Sequence, residues 1–278
     1  ILNKTSINID LVGFHGQTIF HNAEEKISRQ LGDGKLLSKL TKKIVVYDFR
    51  QNDLKKGGQG APLVPIYHNL IASKLQFTLP IIFINIGGIA NATYLNSFNI
   101  NKINAEDICP GNCLIDQWIR KYSKKKIDKN GNIAGSGKIN KKKLLNGLYK
   151  YQNIPKISLD IKDFNFSFVE GLSLKDGAAT LTEFTAQLLS NFLGSVPKNT
   201  RLIFTGGGRK NKFLIKRIKK KLRNTIDIID NYGIDGDFIE SQAFGYLAIR
   251  SYLRLPISYP KTTGCKKPCT GGLIVKNF

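Results

Sequence analysis

With 278 residues, the chain can bury one large core or two moderate ones, and its composition is that of an ordinary globular protein. No apolar run approaches the ~20 residues of a spanning helix, and no signal-like start is visible, so no membrane partner is expected and the cytoplasm is the expected location. Lys and Arg exceed Asp and Glu by 43 − 20 = 23, a charge that would suit a nucleic-acid binder, but the dense runs at 124–126, 141–143 and 219–221 lack interleaved aromatics. They read as solvated faces, and nucleic acid is not an expected partner.

In chain order, Ile9–Phe14 reads as a short strand that ends at His15-Gly16-Gln17-Thr18. A polar cluster past a strand end is where α/β folds place ligand groups, although a turn capped by Thr18 explains it equally. Gln30–Gly34 is a tight turn before a short helix over 35–40. Lys43–Tyr47 is the next strand, with Asp48-Phe49-Arg50 at its exit. Two residues apart on a strand, Asp48 and Arg50 would share a face, as an ion pair or as a grip on a polar substrate. Gly57–Pro65 is a glycine-rich loop closed by two prolines.

The β-branched run Ile81–Ile86 predicts a buried strand, and Gly87-Gly88 joins it to a second strand beginning at Ile89. Without Cβ atoms these glycines let backbone approach a ligand such as a polyphosphate; an ordinary hairpin turn is the alternative. Asp107 precedes the turn Pro110-Gly111, and Asn112 is a candidate N-cap for a helix with Leu114, Ile115, Trp118, Ile119 and Tyr122 on one face. Just outside that helix, Asp107 is either a turn residue or a general base positioned by the turn. Residues 123–143 read as loop or a frayed helix junction, and 155–168 as irregular.

Gly177 opens the clearest helix, with Leu181, Phe184, Leu188 and Phe192 toward the core. Arg201–Thr205 is another apolar strand; it runs into Gly206-Gly207-Gly208 and then into a helix marked by Phe213, Leu214, Ile218 and Leu222. Strand, triple glycine and helix together let an anion sit against bare backbone at a helix N-terminus. Ile226–Ile229 is a short strand. Glu240 starts a last helix with Ala243, Phe244, Leu247, Ala248 and Tyr252, and the tail after Pro256 is irregular with one final strand. Two glycine turns, each after a buried strand, point to a nucleotide cleft in which the two strand exits face one another across a gap.

The four cysteines form two C-x₃-C pairs, Cys109/Cys113 and Cys265/Cys269. That spacing is not the usual zinc pattern, and a disulfide framework does not suit a chain of this size without an export signal, so inert thiols and no metal ligands are expected. The chain begins at Ile1 and contains no methionine, so residues are expected to precede it.

Taken together, His15–Thr18, Asp48–Arg50, Gly57–Pro65, Asn85–Asn91, Pro110–Asn112, Asp176–Thr182 and Gly206–Gly208 resemble anhydro-N-acetylmuramic acid kinases, in order and over essentially the whole chain. The resemblance implies the actin/hexokinase/Hsp70-like ATPase fold (α/β, ribonuclease H-like), with two domains, an ATP cleft between them and the first domain incomplete. It implies that residues 1–79 are the remainder of an N-terminal domain with sugar-side loops, and 80–278 a C-terminal domain with the nucleotide turns and the base. The implied reaction takes 1,6-anhydro-N-acetylmuramic acid, ATP and water to N-acetylmuramic acid 6-phosphate and ADP, in cell-wall recycling, with Mg2+ as cofactor.

Asp107 matches the family's base in a D-x-G-P-G-N motif, with Cys109 standing where the family has Gly. His15, Gln17, Asp48, Arg50 and Glu240 match sugar-side positions. Gly87 and Gly88 would lie by the β- and γ-phosphates, and Gly206, Gly207 and Gly208 by the adenosine. The family's opening G-T-S-x-D-G loop has no counterpart here, so this polypeptide alone is expected to be inactive. The resemblance is compatible with a homodimer. The rival readings are another carbohydrate kinase, an inactive nucleotide-binding homologue and, from another class, a basic nucleic-acid-binding protein.

Overall fold

A computed structural model describes residues 7–153 and 159–278. In chain order the strands are β1 (Leu11–Phe14), β2 (Gln17–Asn22), β3 (Ile27–Leu31), β4 (Ile44–Tyr47), β5 (Ile81–Ile86), β6 (Ile89–Leu95), β7 (Asn104–Pro110), β8 (Arg201–Thr205), β9 (Ile226–Ile228) and β10 (Leu273–Val275). The α-helices are α1 (Gly34–Thr41), α2 (Gln51–Lys55), α3 (Pro65–Lys74), α4 (Cys113–Tyr122), α5 (Asn132–Gly135), α6 (Lys141–Lys150), α7 (Leu174–Leu193), α8 (Lys212–Lys219), α9 (Ile239–Tyr252) and α10 (Pro260–Thr263). The chain divides into two compact units: the first holds Ile1–Phe77, Leu95–Ala105 and Phe238–Phe278, the second Thr78–Tyr94 and Glu106–Asp237.

In the first unit β4 is central, parallel to β1 and antiparallel to β10. Helix α9 lies on β1 and β4 and buries Ala243, Phe244, Leu247 and Ala248 with Val45, Val46 and Phe49. Gly13 permits that approach, because a Cβ there would sit 2.6 Å from Phe244 O. β2 and β3 pair as a separate hairpin. Residues 95–105 and 238–278 group with the first unit rather than with 78–94 and 106–237. The reason is physical: α9 carries the apolar face that covers β1 and β4, and β10 supplies the third strand.

The second unit is built on a five-stranded sheet of order β7-β6-β5-β8-β9. β5, β8 and β9 are parallel. The two-residue link Gly87-Gly88 makes β6 antiparallel to β5. Gly111, just past β7, donates its N–H to Gly88 O at the start of β6, so β7 runs against β6. An antiparallel meander of three strands extended by two parallel ones is the ribonuclease H-like sheet of the actin/hexokinase/Hsp70-like fold.

Ile82, Ile84, Ile86, Leu202 and Phe204 pack on one side of the sheet against Leu189 and Leu193 of α7 and Leu214 and Ile218 of α8. A second core joins α4 to α7 through Trp118, Phe168 and Phe184. Trp118 donates its indole N–H to Leu174 O at 2.9 Å and lies where a Cβ on Gly177 would be, which is why α7 and α4 can touch.

Several local expectations change. Asp48 has φ +54 and turns the chain, and Arg50 caps α2, so the two do not share a strand face and form no ion pair with each other. Gln17 and Thr18 are not a turn but the first residues of β2. Asp107 lies inside β7 and is positioned by a strand rather than by the turn after it. The stretch 123–143, expected to be loop or a frayed helix junction, contains α5 and the start of α6, with Asn140 capping Lys143 N. Helix α7 starts at Leu174, with Ser173 as N-cap, ahead of Gly177. The triple glycine runs into a 3₁₀ turn, Gly207–Lys210, and Asn211 rather than a glycine caps α8. Of the expected irregular stretch 155–168, residues 155–158 lie outside the described residues; the rest includes two 3₁₀ turns.

Candidate active site

Three strands of the second unit end at the same edge of its sheet: β5 at Gly87, β7 at Gly111 and β8 at Gly206. In parallel sheets this C-terminal edge is where ligands bind. The Gly87-Gly88 turn is held from below. Gly111 N–H donates to Gly88 O and Asn112 N–H to Gly87 O, both at 2.8 Å, and Asn112 Nδ2 donates to Ile86 O at 3.1 Å. Thr185 on α7 donates its hydroxyl to Gly111 O at 3.0 Å. Only glycine fits at 111, since a Cβ would lie 2.4 Å from Gly87 O. Asn112 stands at the N-cap position of α4, as the sequence suggests, but its side chain makes no cap hydrogen bond and serves instead as part of the floor of the hairpin turn.

Gly206 to Gly208 follow β8, which lies beside β5 with Asn85 paired to Thr205. The two glycine turns therefore sit side by side on adjacent strands, not facing each other across a gap. Gly206 has φ 74 and ψ 175. A Cβ on Gly208 would fall 2.3 Å from Ile86 Cγ2, whereas one on Gly207 would meet nothing within 4 Å. Gly207 thus presents bare backbone to open space. Next to it the Thr205 hydroxyl is buried without a hydrogen-bond partner among the described residues. A buried polar atom of this kind is costly unless something satisfies it.

Arg209, which sequence reasoning passed over, fixes this turn. Its guanidinium is 1% exposed and donates to Asp230 Oδ2 at 2.6 Å and Oδ1 at 2.9 Å, to Asp237 Oδ1 at 3.0 Å and to Gly206 O at 2.9 Å. The paired guanidinium holds the Asp230 carboxyl below the usual carboxylate range. The signal was a lone Arg after three glycines with Asp residues 21 and 28 positions on, a separation that no local pattern detects.

Asp107 stands three residues before the end of β7, half-buried. Its Oδ2 accepts from Leu159 N–H at 2.9 Å, and its Oδ1 has no hydrogen-bond partner among the described residues. Burial pushes the carboxyl up from its ordinary value, and the Leu159 bond partly offsets this. A carboxylate held by one oxygen, with the other open and basicity raised, is suited to accept a proton.

A second polar cluster lies in the first unit. β1 and β4 are in register with Phe14 opposite Tyr47, so the residues that follow both strands emerge at one edge. His15 Nδ1–H donates to Gly16 O at 2.7 Å, which leaves Nε2 to accept from Arg50 Nε at 3.1 Å. Arg50 Nη1 donates to Gly60 O at 2.8 Å, tying the 57–65 loop to the cluster. The Phe244 ring lies 4.0 Å from the His15 ring, centroid to centroid. Burial lowers the Arg50 affinity for its proton while the charges of Glu240 and Asp53 raise it.

Glu240 occupies the exposed first turn of α9. Asp48 is half-buried and its carboxyl is pushed up by burial. Gln17 is exposed on β2. The structure therefore brings His15, Arg50 and Glu240 into one electrostatic group, with Asp48 on the adjoining turn and Gln17 outside the hydrogen-bonded set.

Burial and the Arg50 charge lower the His15 pKa to about 4. Since the folded value is below the ordinary one, the unfolded chain binds the extra proton first, and stability falls as pH drops from about 6.5 toward 4. A pH titration by NMR is expected to find His15 neutral in the Nδ1–H tautomer at pH 5.5. Titration near 6.5 would mean that the Arg50 bond does not form.

Comparison with known proteins adds a separate line. A family model described as anhydro-N-acetylmuramic acid kinase matches residues 2–277. The chain is 50% identical to an anhydro-N-acetylmuramic acid kinase of Pelagibacter ubique, over 100% of this chain and 77% of that protein. It is 40% identical to one of Brucella canis, over 96% of this chain and 74% of the relative. Among solved structures it aligns with component A of (R)-2-hydroxyglutaryl-CoA dehydratase from Acidaminococcus fermentans at 9% identity and a TM-score of 0.44, over 69% of each chain.

Proposed function

The chain belongs to the anhydro-N-acetylmuramic acid kinase family, and from that premise we propose that it converts 1,6-anhydro-N-acetylmuramic acid, ATP and water to N-acetylmuramic acid 6-phosphate and ADP, in cytoplasmic recycling of peptidoglycan. No helix among the described residues is long and apolar enough to cross a membrane, which suits a kinase of small soluble substrates.

In this reading Asp107 takes a proton from a water as the water oxygen bonds to C1 of the sugar. The C1–O6 bridge breaks, O6 bonds to the γ-phosphorus, and the bond to the β-phosphate oxygen breaks to release ADP. The open Oδ1 of Asp107 is the proton acceptor, and the Leu159 N–H on Oδ2 holds the group in place. Gly87 and Gly88 would lie by the β- and γ-phosphates, and Gly206 to Gly208 by the adenosine, with the open backbone at Gly207 and the orphaned Thr205 hydroxyl as the fit for a polar ligand. Magnesium would come with the phosphates and offset the charge that develops on the transferred group. The amide oxygen of Asn85 at this edge is a hard donor of the kind such a cation takes. His15, Gln17, Asp48, Arg50 and Glu240 would bind the sugar, Arg50 as the cation that His15 and Gly60 orient.

The observation that carries the proposal is the convergence of three glycine-ended strand exits beside a carboxylate with raised basicity. The test is ADP release with 1,6-anhydro-N-acetylmuramic acid, run in ¹⁸O-water. Expected are sugar-dependent ADP and one ¹⁸O at C1 of the product. Release that depends on another sugar, or label found in phosphate instead, would overturn the reaction assigned.

A further inference from the structure

Three buried groups that the proposed chemistry leaves unused meet in the first unit. Asp53 lies on α2, Cys265 just past α10, and Cys269 on the segment that bridges back to Ser258, and none is more than 6% exposed. One ligand atom from each lies within 4.8 Å of the other two. The backbone around them is fixed: Cys269 N–H donates to Ser258 O at 3.0 Å and Ile257 N–H to Cys269 O at 2.7 Å. The carboxylate is oriented as well. Thr263 Oγ1 donates to Asp53 Oδ1 at 2.7 Å, the Ser258 hydroxyl donates to the same oxygen, and Gly60 N–H donates to Oδ2 at 2.7 Å.

All three groups become anionic when they ionise, and the contacts that orient them come from hydroxyls and amides. A soft divalent cation suits such a set, because thiolates ionise against a metal and the buried negative charge is then paired. In a tetrahedral zinc site with Zn–S near 2.3 Å, neighbouring ligand atoms are about 3.8 Å apart. The observed spread reaches that spacing with shifts of about 1 Å or less. Hydrogen bonds that orient a ligating carboxylate from behind are a regular part of metal sites, and here they are already present. C-x₃-C spacing alone gave no reason to expect zinc; Asp53, remote in sequence, supplies the third group.

We propose that Asp53, Cys265 and Cys269 bind one zinc ion, with a water in the fourth position and the Ser258 hydroxyl orienting the Asp53 carboxylate. The ion is structural, pinning α2 and the 57–60 loop to the C-terminal segment of the same unit.

The full chain, stripped with chelator under reducing conditions, is to be given Zn2+, desalted and analysed for metal, and given Co2+ as a spectroscopic substitute. Expected is one retained zinc per chain and a thiolate-to-cobalt charge-transfer band. Cys265→Ser and Cys269→Ser should each lose both, and Thr263→Val should weaken zinc binding by about 10–100-fold. A Cys109→Ser/Cys113→Ser double variant, which leaves only the proposed thiols, should keep both signals, and so assigns the site even if the single variants fail to fold. Absence of retained zinc and of the cobalt band in the unaltered chain would overturn the proposal. So would a band that survives Cys269→Ser, or a Cys265–Cys269 disulfide as the stable form in chelator-free protein.

Discussion

Asp107→Asn is expected to lower kcat by about 10²–10⁴-fold, the usual contribution of a positioned general base, while the affinity for ATP stays nearly unchanged. The amide is isosteric, and its oxygen can still accept from Leu159 N–H, so geometry is preserved and only the proton acceptor is lost. Because kcat falls without a matching change in binding, the loss would be assigned to the transition state rather than to the ground state. The acidic limb of the pH–rate profile should lie above the ordinary aspartate range, since burial raises the carboxyl.

A linked stability effect follows. A group whose folded pKa is raised holds its proton more tightly in the native state, so stability declines as pH rises from the ordinary carboxylate value through the folded one. Asn carries no charge to bury, and the variant should therefore melt slightly higher than the parent at neutral pH. Turnover within tenfold of the parent would remove Asp107 as the base. A lower melting temperature at neutral pH would mean that the ionised carboxylate is stabilised by its surroundings, contrary to the direction argued here.

Gly206→Ala is expected to act on the fold and the nucleotide together. With φ 74 and ψ 175, position 206 lies in a region open essentially to glycine alone, where another residue costs about 1–3 kcal/mol. The new Cβ would also approach Asn85 Oδ1 at 2.2 Å and Ile86 O at 2.9 Å. The Asn85 side chain can rotate away, but Ile86 O is held by Asn112 Nδ2 and cannot. A melting temperature lower by roughly 2–12 °C follows for a chain of this size, taking about 2–4 °C per kcal/mol.

Gly207→Ala is the matched control. A Cβ there meets nothing within 4 Å, so the protein should melt as the parent does, yet ATP should bind more weakly because the methyl occupies the space assigned to the ligand. Calorimetry on both variants separates the two effects. Unchanged ATP affinity in Gly207→Ala would place the nucleotide elsewhere.

The glycine turns were legible because a β-branched run that stops at two or three glycines is a local pattern, and Gly87-Gly88 and Gly206–Gly208 do follow buried strands. The helix faces at Leu114–Trp118 and Leu181–Phe184 were legible for the same reason, and those residues are buried. His15, Asp107 and Arg50 were visible as polar residues at strand exits or beside a turn, each with a structural reading that explained it equally, and only the family resemblance gave them roles. Asp107 was placed in a turn because β7 is an edge strand whose apolar alternation is broken by Asn104, Glu106 and Asp107. Arg209 was passed over because its carboxylate partners lie beyond any local window.

By itself, then, the sequence determined where buried strands stop, where chain can bend without a Cβ, and which family the order of these stops resembles, because each depends on the sterics and polarity of neighbouring residues. Only the tertiary structure decided that β8 lies against β5 and brings the two glycine turns side by side, that α9 and β10 complete the first unit, and that His15 orients Arg50. Those arrangements come from pairings between residues tens to hundreds of positions apart. What selects them is the burial of complementary apolar faces and the register of parallel strands, and no stretch of chain encodes either without its partner.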